Sequence, residues 1–322
     1  MDGKSFSFVI PAFNDAPGIQ RHFEYFAQRH EQVQLVIVDD CSEDDTAEFV
    51  EQAKLPPNIT IDYRLQAQNA GPAKARNDGL QMAHGDFVMF LDADDVLSDH
   101  FFLYIGMSPL ARGADFVLFK YHLAKDHDER FSYNMHEVDN RFFSRITDSG
   151  FPGGMFKLEE LPGALAITNF PWNKIYRKEF IKDSGLRFPE MRMHEDILPH
   201  WHSFLAAKYF GVLNWAPPLI THFEDPGGNR ATNYIGEERL QAFASLKQIF
   251  KEIDEHPSAD KLLPEFRAFA ENLFEWLAGN LCSGSDPQSR TWRLRYIQAA
   301  QHFWRDIEEV HNSVLNNSSA PN

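Results

Sequence analysis

The sequence predicts an α/β fold, a mostly parallel sheet flanked by helices, followed by a C-terminal helical appendage. Three observations predict it. Short, wholly apolar runs recur through the first hundred or so positions, and such runs read as strands buried on both faces. Helix-period segments and Gly/Pro turns separate them, which gives the order βαβαβαβ of a parallel sheet. From Glu237 onward the pattern changes to three long amphipathic runs, roughly 237–255, 259–282 and 288–312.

SFSFVI, residues 5–10, is apolar and closed by Pro11, so it is the first strand. AFNDAPG follows as a loop, and Ile19 to Arg29 reads as a helix. QLVIVDD, 34–40, is a second buried strand ending in acids. Ser42 is placed to cap the next helix, with Asp44 and Asp45 favourable in its first turn. ITIDYRL, 59–65, alternates as a third strand, and QNAGPAKARNDGL, 68–80, is a turn running into a helix that ends near Gly85. DFVMFLD is the fourth strand and DFVLFKYHL, 115–123, the fifth. Residues 124–170 are polar, aromatic and punctuated by Gly and Pro, and no elements are assigned there. Short strands and helices alternate over 171–225.

Composition excludes several classes. The chain has 322 residues, 43% hydrophobic and 14% aromatic, enough for one large domain or two ordinary ones with an ample core. A formal net charge of −16 argues against nucleic acid and anionic membrane surfaces as general partners. A metal can still bring a nucleotide into an acidic site. The two cysteines, Cys41 and Cys282, lack metal spacing and suit a reducing compartment. No apolar run reaches the length of a membrane span, and MDGKSFSFVIP lacks a signal-peptide pattern, so the expected location is cytoplasmic.

Chemistry concentrates at the strand ends. Asn14 and Asp15 follow the first strand, Asp39 and Asp40 the second, Asn69 the third, and Asp92 and Asp94 the fourth. In a parallel sheet these line one edge, where open α/β sheets bind ligands. FLDADDVL, 90–97, is the centre of this pattern. Asp92 and Asp94 are two apart and share a face on an ideal strand. Crowded carboxylates need a counter-cation, and oxygen-only ligands suit Mg2+ or Mn2+, which also hold substrate phosphates. No glycine-rich dinucleotide or P-loop motif occurs.

VIPAFND, VIVDDCSEDDT, NAGPAKARNDGL and FLDADDVL together resemble the inverting family 2 glycosyltransferases with the GT-A fold, in order and spacing, over about residues 5–100. The resemblance continues through 171–208, which looks like that family's acceptor-side segment. It implies a nucleotide-sugar donor, a UDP-sugar, and a glycan or lipid-linked acceptor, with Mn2+ or Mg2+ as cofactor. It implies that Pro11, Phe13 and Asn14 frame the base, Asp39 accepts from a pyrimidine N–H, and Asn69 contacts the base edge. Asp92 contacts the ribose or the metal, Ala93 contacts the donor, and Asp94 ligates the metal directly. Arg76 either supports the base pocket or diphosphate, or forms a structural ion pair with Asp78 or Asp40.

The second decisive stretch is MRMHEDILPHW. Met193, Ile197 and Trp201 form an apolar helical stripe, so His194, Glu195 and Asp196 fall at or near a helix N-terminus. The resemblance makes Asp196 the catalytic base, with Glu195 orienting a neighbour or binding acceptor hydroxyls. An inverting transfer needs one base and no covalent nucleophile. His194, His200 and His202 lack the spacing of a zinc-binding helix pair, and His194 borders the site. In THFEDPGGNRAT the resemblance offers His222, as a metal or diphosphate contact, and Arg230. Glu224 and Asp225 stand where the family often has basic residues. Lys174, in WNKIY, is placed at the acceptor side or in packing.

Two rival readings exist. A haloacid-dehalogenase-like phosphatase has two aspartates two apart after an apolar strand, but on its first strand rather than its fourth. A catalytically silent nucleotide-sugar-binding module would not need Asp94 and Asp196. The expected organisation is a GT-A catalytic domain over 1–232, with a nucleotide-sugar half, 1–110, and an acceptor half, 111–232. A helical region, 233–315, and a disordered tail, 316–322, follow. The helical region carries Phe243, Phe250, Phe266, Phe269, Phe274, Trp276, Trp292, Phe303 and Trp304. Burying each contributes about 1.5–3 kcal/mol, so they must pack on the catalytic domain, one another, a second subunit or a membrane. The expectation is an appendage that completes the acceptor side and supports a homodimer, with its Arg-rich third run allowing peripheral contact at the inner membrane face.

Overall fold

In a computed structural model, residues 3–124, 134–150, 153–223 and 234–318 are described, with side chains to 308. The first half alternates strand and helix: β1 (Ser5–Ala12), α1 (Ala16–Phe26), β2 (Gln32–Asp39), α2 (Thr46–Gln52), β3 (Ile59–Leu65), α3 (Pro72–Met82) and β4 (Phe87–Phe90). Next come β5 (Val96–Leu97), α4 (Phe101–Gly106), β6 (Phe116–Phe119), β7 (Tyr121–Ala124), α5 (Glu137–Asp148), β8 (Gly154–Phe156) and β9 (Lys174–Arg177). Then follow α6 (Lys178–Ser184), α7 (Ile197–Ala206), β10 (Phe210–Leu213) and β11 (Ile220–Phe223). The chain closes with α8 (Ala242–Asp254), α9 (Ala259–Glu275), a π-helical turn Trp276–Leu281 and α10 (Pro287–Ser318).

Among the described residues, eight strands form one sheet in the order β3-β2-β1-β4-β9-β6-β10-β8. β1, β2, β3 and β4 run parallel, as do β6 and β10, while β9 and β8 are antiparallel to their neighbours. The inner parallel strands β1, β2 and β4 are apolar and buried, with Phe8, Val9, Leu35, Val36, Val88 and Met89 fully so, whereas β3 at the sheet edge alternates and is partly exposed. The connection from β1 moves outward to β2, whereas β4 returns to the other side of β1. The strand order therefore reverses between β1 and β4, which opens a crevice at their C-terminal ends.

Several expectations change in detail. Ser42 does not cap α2: its hydroxyl accepts from the Asn14 amide at 2.9 Å, and Asp44 instead accepts from the Thr46 amide and hydroxyl. α3 ends at Met82, three residues before Gly85, because Ala83 is already extended with ψ 128°. The fifth strand, expected as one run over 115–123, is two strands in two sheets. β6 lies between β9 and β10, and after Lys120 the chain crosses to pair β7 with β11 in a three-stranded sheet, β5-β11-β7. α10 runs on past the expected end at 312.

The C-terminal helices pack on the catalytic fold. Trp201 of α7 meets Phe266 and Phe269 of α9 at 5.7 and 5.4 Å between ring centres, and Phe243 of α8 stacks on Phe274 at 5.0 Å. Trp201, Leu246, Ile249 and Leu262 have no exposed surface. Among the described residues no helix is long and apolar enough to cross a membrane.

Candidate functional site

A cleft of about 430 Å³ opens at the β1–β4 crevice. One wall is the end of β1 with its loop: Pro11, Ala12 and Phe13, whose ring is 51% exposed although large and apolar. Asp40 follows β2 and takes the Ala70 and Gly71 amides, both at 2.7 Å. Gly71 has φ +90°, a conformation that disfavours a β-carbon, and it precedes Pro72 at the start of α3. Asn69 lines the cleft just before this turn, and Asp92, Ala93 and Asp94 line the β4 side.

Arg76 ties the cleft together. It faces inward from α3, 5% exposed, with Phe188 5.4 Å below its guanidinium. One terminal nitrogen donates to Asp92 at 2.8 Å, and the other donates to Glu195 at 3.0 Å. Burial opposes its charge, but Asp92 and Glu195 outweigh that, so its pKa is raised. Both structural pairings expected for Arg76 are taken by other groups. Asp78 pairs with Lys74 and Arg64, and Asp40 with the two amides above.

Asp196 sits beside this fork as the first residue before α7. Its side chain is only partly exposed. Burial, and then the charge of Glu195, push its carboxyl up to about 7, against the pull of Arg76 and Lys174. Lys174, on β9, is 1% exposed and donates to the Phe170 carbonyl at 2.8 Å and to Asn173 at 2.6 Å. Burial lowers its pKa to about 7, opposed by Asp139 and Asp196. Asp196, partly exposed, is thus raised by its surroundings and Lys174, buried, is lowered by its own, and shifts of this kind concentrate at functional sites.

The remaining expected residues fall further back. Asp39 has no exposed surface, and its oxygens accept from the Ser42 amide at 2.7 Å and the Tyr63 hydroxyl at 2.7 Å. Asn14, with φ 52°, bridges the loops after β1 and β2 by accepting from the Glu43 amide at 2.8 Å. His222, on β11, places Nδ1 2.7 Å from the buried Asp95 and stacks on Trp172 at 4.8 Å. Burial pushes Asp95 up to about 7 although His222 pulls it down. Arg230, Glu224 and Asp225 lie outside the described residues. His194 adjoins the Glu195–Asp196 pair with φ 61°.

Two supporting residues escaped the sequence reading. His22 of α1 lies 3.2 Å from the Asp92 carbonyl, and burial lowers its pKa to about 4, so the neutral ring holds the backbone of the acidic turn. Arg239 reaches His194 from the C-terminal region. A histidine on an amphipathic helix, or an arginine in the turn before one, carries no sequence mark of such a role.

A divalent cation fits the donor set. Among the described residues no three His, Cys, Asp or Glu side chains converge as a cage. The cleft instead presents Asp92 and Asp94, with the unpaired Oδ2 of buried Asp95 behind them. Mg2+ and Mn2+ are commonly bound by one or two carboxylates plus substrate phosphates, and these oxygens match that demand.

The sequence matches the family described as glycosyl transferase family 2 over residues 7–185. It is 28% identical over 255 residues to the poly(ribitol-phosphate) beta-N-acetylglucosaminyltransferase TarS of Staphylococcus aureus, covering 76% of this chain and 39% of TarS. It is 24% identical over 215 residues to a poly(ribitol-phosphate) beta-glucosyltransferase of Bacillus spizizenii, covering 64% of this chain and 30% of that relative. The chain thus spans less than half the length of these relatives. In fold it is similar to S. aureus TarS 1-349 in complex with UDP-GlcNAc, with TM-score 0.70 and 21% identity over 92% of this chain and 81% of that one. A mannosyltransferase from Pyrobaculum calidifontis in complex with GDP-Man and Mn2+ aligns with TM-score 0.54 and 17% identity over 92% of this chain and 86% of that one.

Proposed function

The chain belongs to glycosyl transferase family 2, and from that premise we propose that it moves a sugar from a UDP-sugar to a hydroxyl of a glycan or lipid-linked acceptor, with inversion. Family membership also decides against the phosphatase reading of Asp92–Asp95. The observation that carries the proposal is the Arg76 fork. It joins Asp92, on the donor side of the cleft, to Glu195, the neighbour of Asp196, whose carboxyl burial and the Glu195 charge push up to about 7.

Asp196 takes the proton of the acceptor hydroxyl as its oxygen attacks the anomeric carbon and the bond to the diphosphate breaks. One displacement inverts the centre. Arg76 balances the charges of Asp92 and Glu195, so both carboxylates stay in place beside an anionic donor. Phe13 offers the nucleobase an exposed apolar face. Asp94, with Asp92 beside it, would hold Mn2+ or Mg2+, whose chemistry is to offset charge on the departing diphosphate. The names of the poly(ribitol-phosphate)-modifying relatives support a polymer acceptor. Self-association through the C-terminal helices and peripheral membrane contact belong to the same proposal, and light scattering with and without lipid vesicles separates them.

The test is a donor-hydrolysis screen over UDP-sugars with Mn2+ present, beginning with UDP-GlcNAc. Slow release of UDP is expected for one donor, and Asp94→Asn is expected to lose it together with metal-dependent UDP binding while staying folded. No release from any UDP-sugar, or wild-type activity of Asp94→Asn in chelator, would count against the reading.

A further inference from the structure

His194 holds the turn in front of the Glu195–Asp196 pair, and its own conformation needs holding. A φ of 61° is left-handed backbone that a β-carbon disfavours. The ring Nε2 lies 3.2 Å from an Arg239 terminal nitrogen. A guanidinium only donates, so Nε2 is the acceptor and Nδ1 carries the proton. Burial, and then the Arg239 charge, lower the His194 pKa to about 3, which keeps the ring neutral.

Arg239 is itself 4% exposed and fixed from several directions. It lies in a 3-10 turn, Glu237–Gln241, ahead of α8. Its Nε donates to the Tyr234 carbonyl at 3.0 Å. Its guanidinium sits 5.0 Å from the Trp276 ring centre, and the same ring meets His194 edge-on at 6.3 Å. Gly236, just before the turn, donates to the Tyr296 hydroxyl at 3.1 Å and accepts from it at 2.9 Å. A chain of direct contacts thus runs from α10 through Gly236 and Arg239 to His194. Beyond His194 stand Glu195, on the Arg76 fork, and Asp196, at the head of α7.

We propose that Arg239 is a positioning residue for the transfer, holding the His194 turn so that Glu195 meets Arg76 and Asp196 faces the acceptor, and that the C-terminal helices thereby complete the reaction centre. This rests on the transferase reading above. A residue that only stabilised the fold would move UDP affinity, donor KM and kcat together. A residue that aims the base lowers kcat far more than it changes UDP affinity, because Arg76 keeps its own contact with Asp92.

The experiment measures Mn2+-dependent UDP-GlcNAc hydrolysis, or that of whichever UDP-sugar the wild type hydrolyses, with UDP affinity by calorimetry. It compares the wild-type chain with Arg239→Gln, Arg239→Lys and Tyr296→Phe. A wild type that hydrolyses no UDP-sugar fails the transferase reading itself and is seen before any variant. Given wild-type turnover, Arg239→Gln should lose on the order of tenfold to a hundredfold in kcat, the scale of slight misplacement of a catalytic group. UDP affinity and donor KM should stay within about twofold. Arg239→Lys should recover part of the loss, and Tyr296→Phe should show a smaller loss of the same kind. Wild-type kcat in Arg239→Gln, or equal losses of kcat and UDP affinity, would overturn the proposal. If Arg239→Gln does not fold, Tyr296→Phe decides, because it removes a single hydroxyl: a lower kcat at constant KM upholds the chain of contacts, and an unchanged kcat overturns it.

Discussion

Asp196 has Glu195 on one side and Arg76 and Lys174 on the other, and its protonation is their balance with burial. The balance lies near 7, well above the ordinary carboxylate range. A general base must be ionised, so turnover should rise with pH through about 7 and fall below it. The effect on stability has the opposite sign. An acid whose pKa is raised by folding binds its proton more tightly in the folded state. Its contribution is therefore complete below the ordinary carboxylate value and lost as pH rises through about 7. A turnover profile flat from about pH 5 to 8 would contradict this assignment. At this scale the pattern put Asp92 and Asp94 after an apolar strand and Glu195 and Asp196 before an apolar helical stripe, and the choice of Asp196 came from the family resemblance. The second partner of Arg76 was not legible. Asp78 and Asp40 are nearer in sequence than Glu195, which is 119 positions away, and only the fold brings Glu195 to 3.0 Å.

α3 is the element that aims Arg76, and its closeness to the sheet depends on Gly79. A β-carbon there would stand 2.5 Å from Val9 Cγ1 and 3.3 Å from Val38 Cγ2. Both valines are fully buried and stiff at χ1. Ala in a helix interior gains about 1 kcal/mol over Gly, whereas overpacking a core costs about 1–3 kcal/mol. The clash wins, so Gly79→Ala should lower stability by about 1 kcal/mol, read as a shift in the urea midpoint; a raised midpoint would show that α3 can lift away freely. The strands of the first half were legible to within two residues, because β1, β2 and β4 are apolar on both faces and β3 alternates with period two. The break at Lys120 was not, since DFVLFKYHL is apolar on either side of it. What divides the run is its partners, β9 and β10 before the lysine and β11 after it.

Across the molecule, the C-terminal helices are joined to the catalytic fold through α7, the helix that begins at Asp196. Trp201, without exposed surface, is covered by Phe266 and Phe269. Their amphipathic spacing was legible, but not which surface they cover, because periodicity gives a face and no address. Removing residues 236–322 should uncover this patch, lower solubility, and impair transfer more than UDP binding. A soluble truncated monomer with full transfer activity would contradict that expectation. Donor binding and proton removal fall to separate groups, and UDP-sugar turnover by Asp196→Asn, with UDP affinity measured on the same sample, separates the two. Asp196→Asn should keep wild-type UDP affinity and lower turnover by at least ~100-fold, the usual scale for losing a general base. Near-normal turnover in that variant would contradict it.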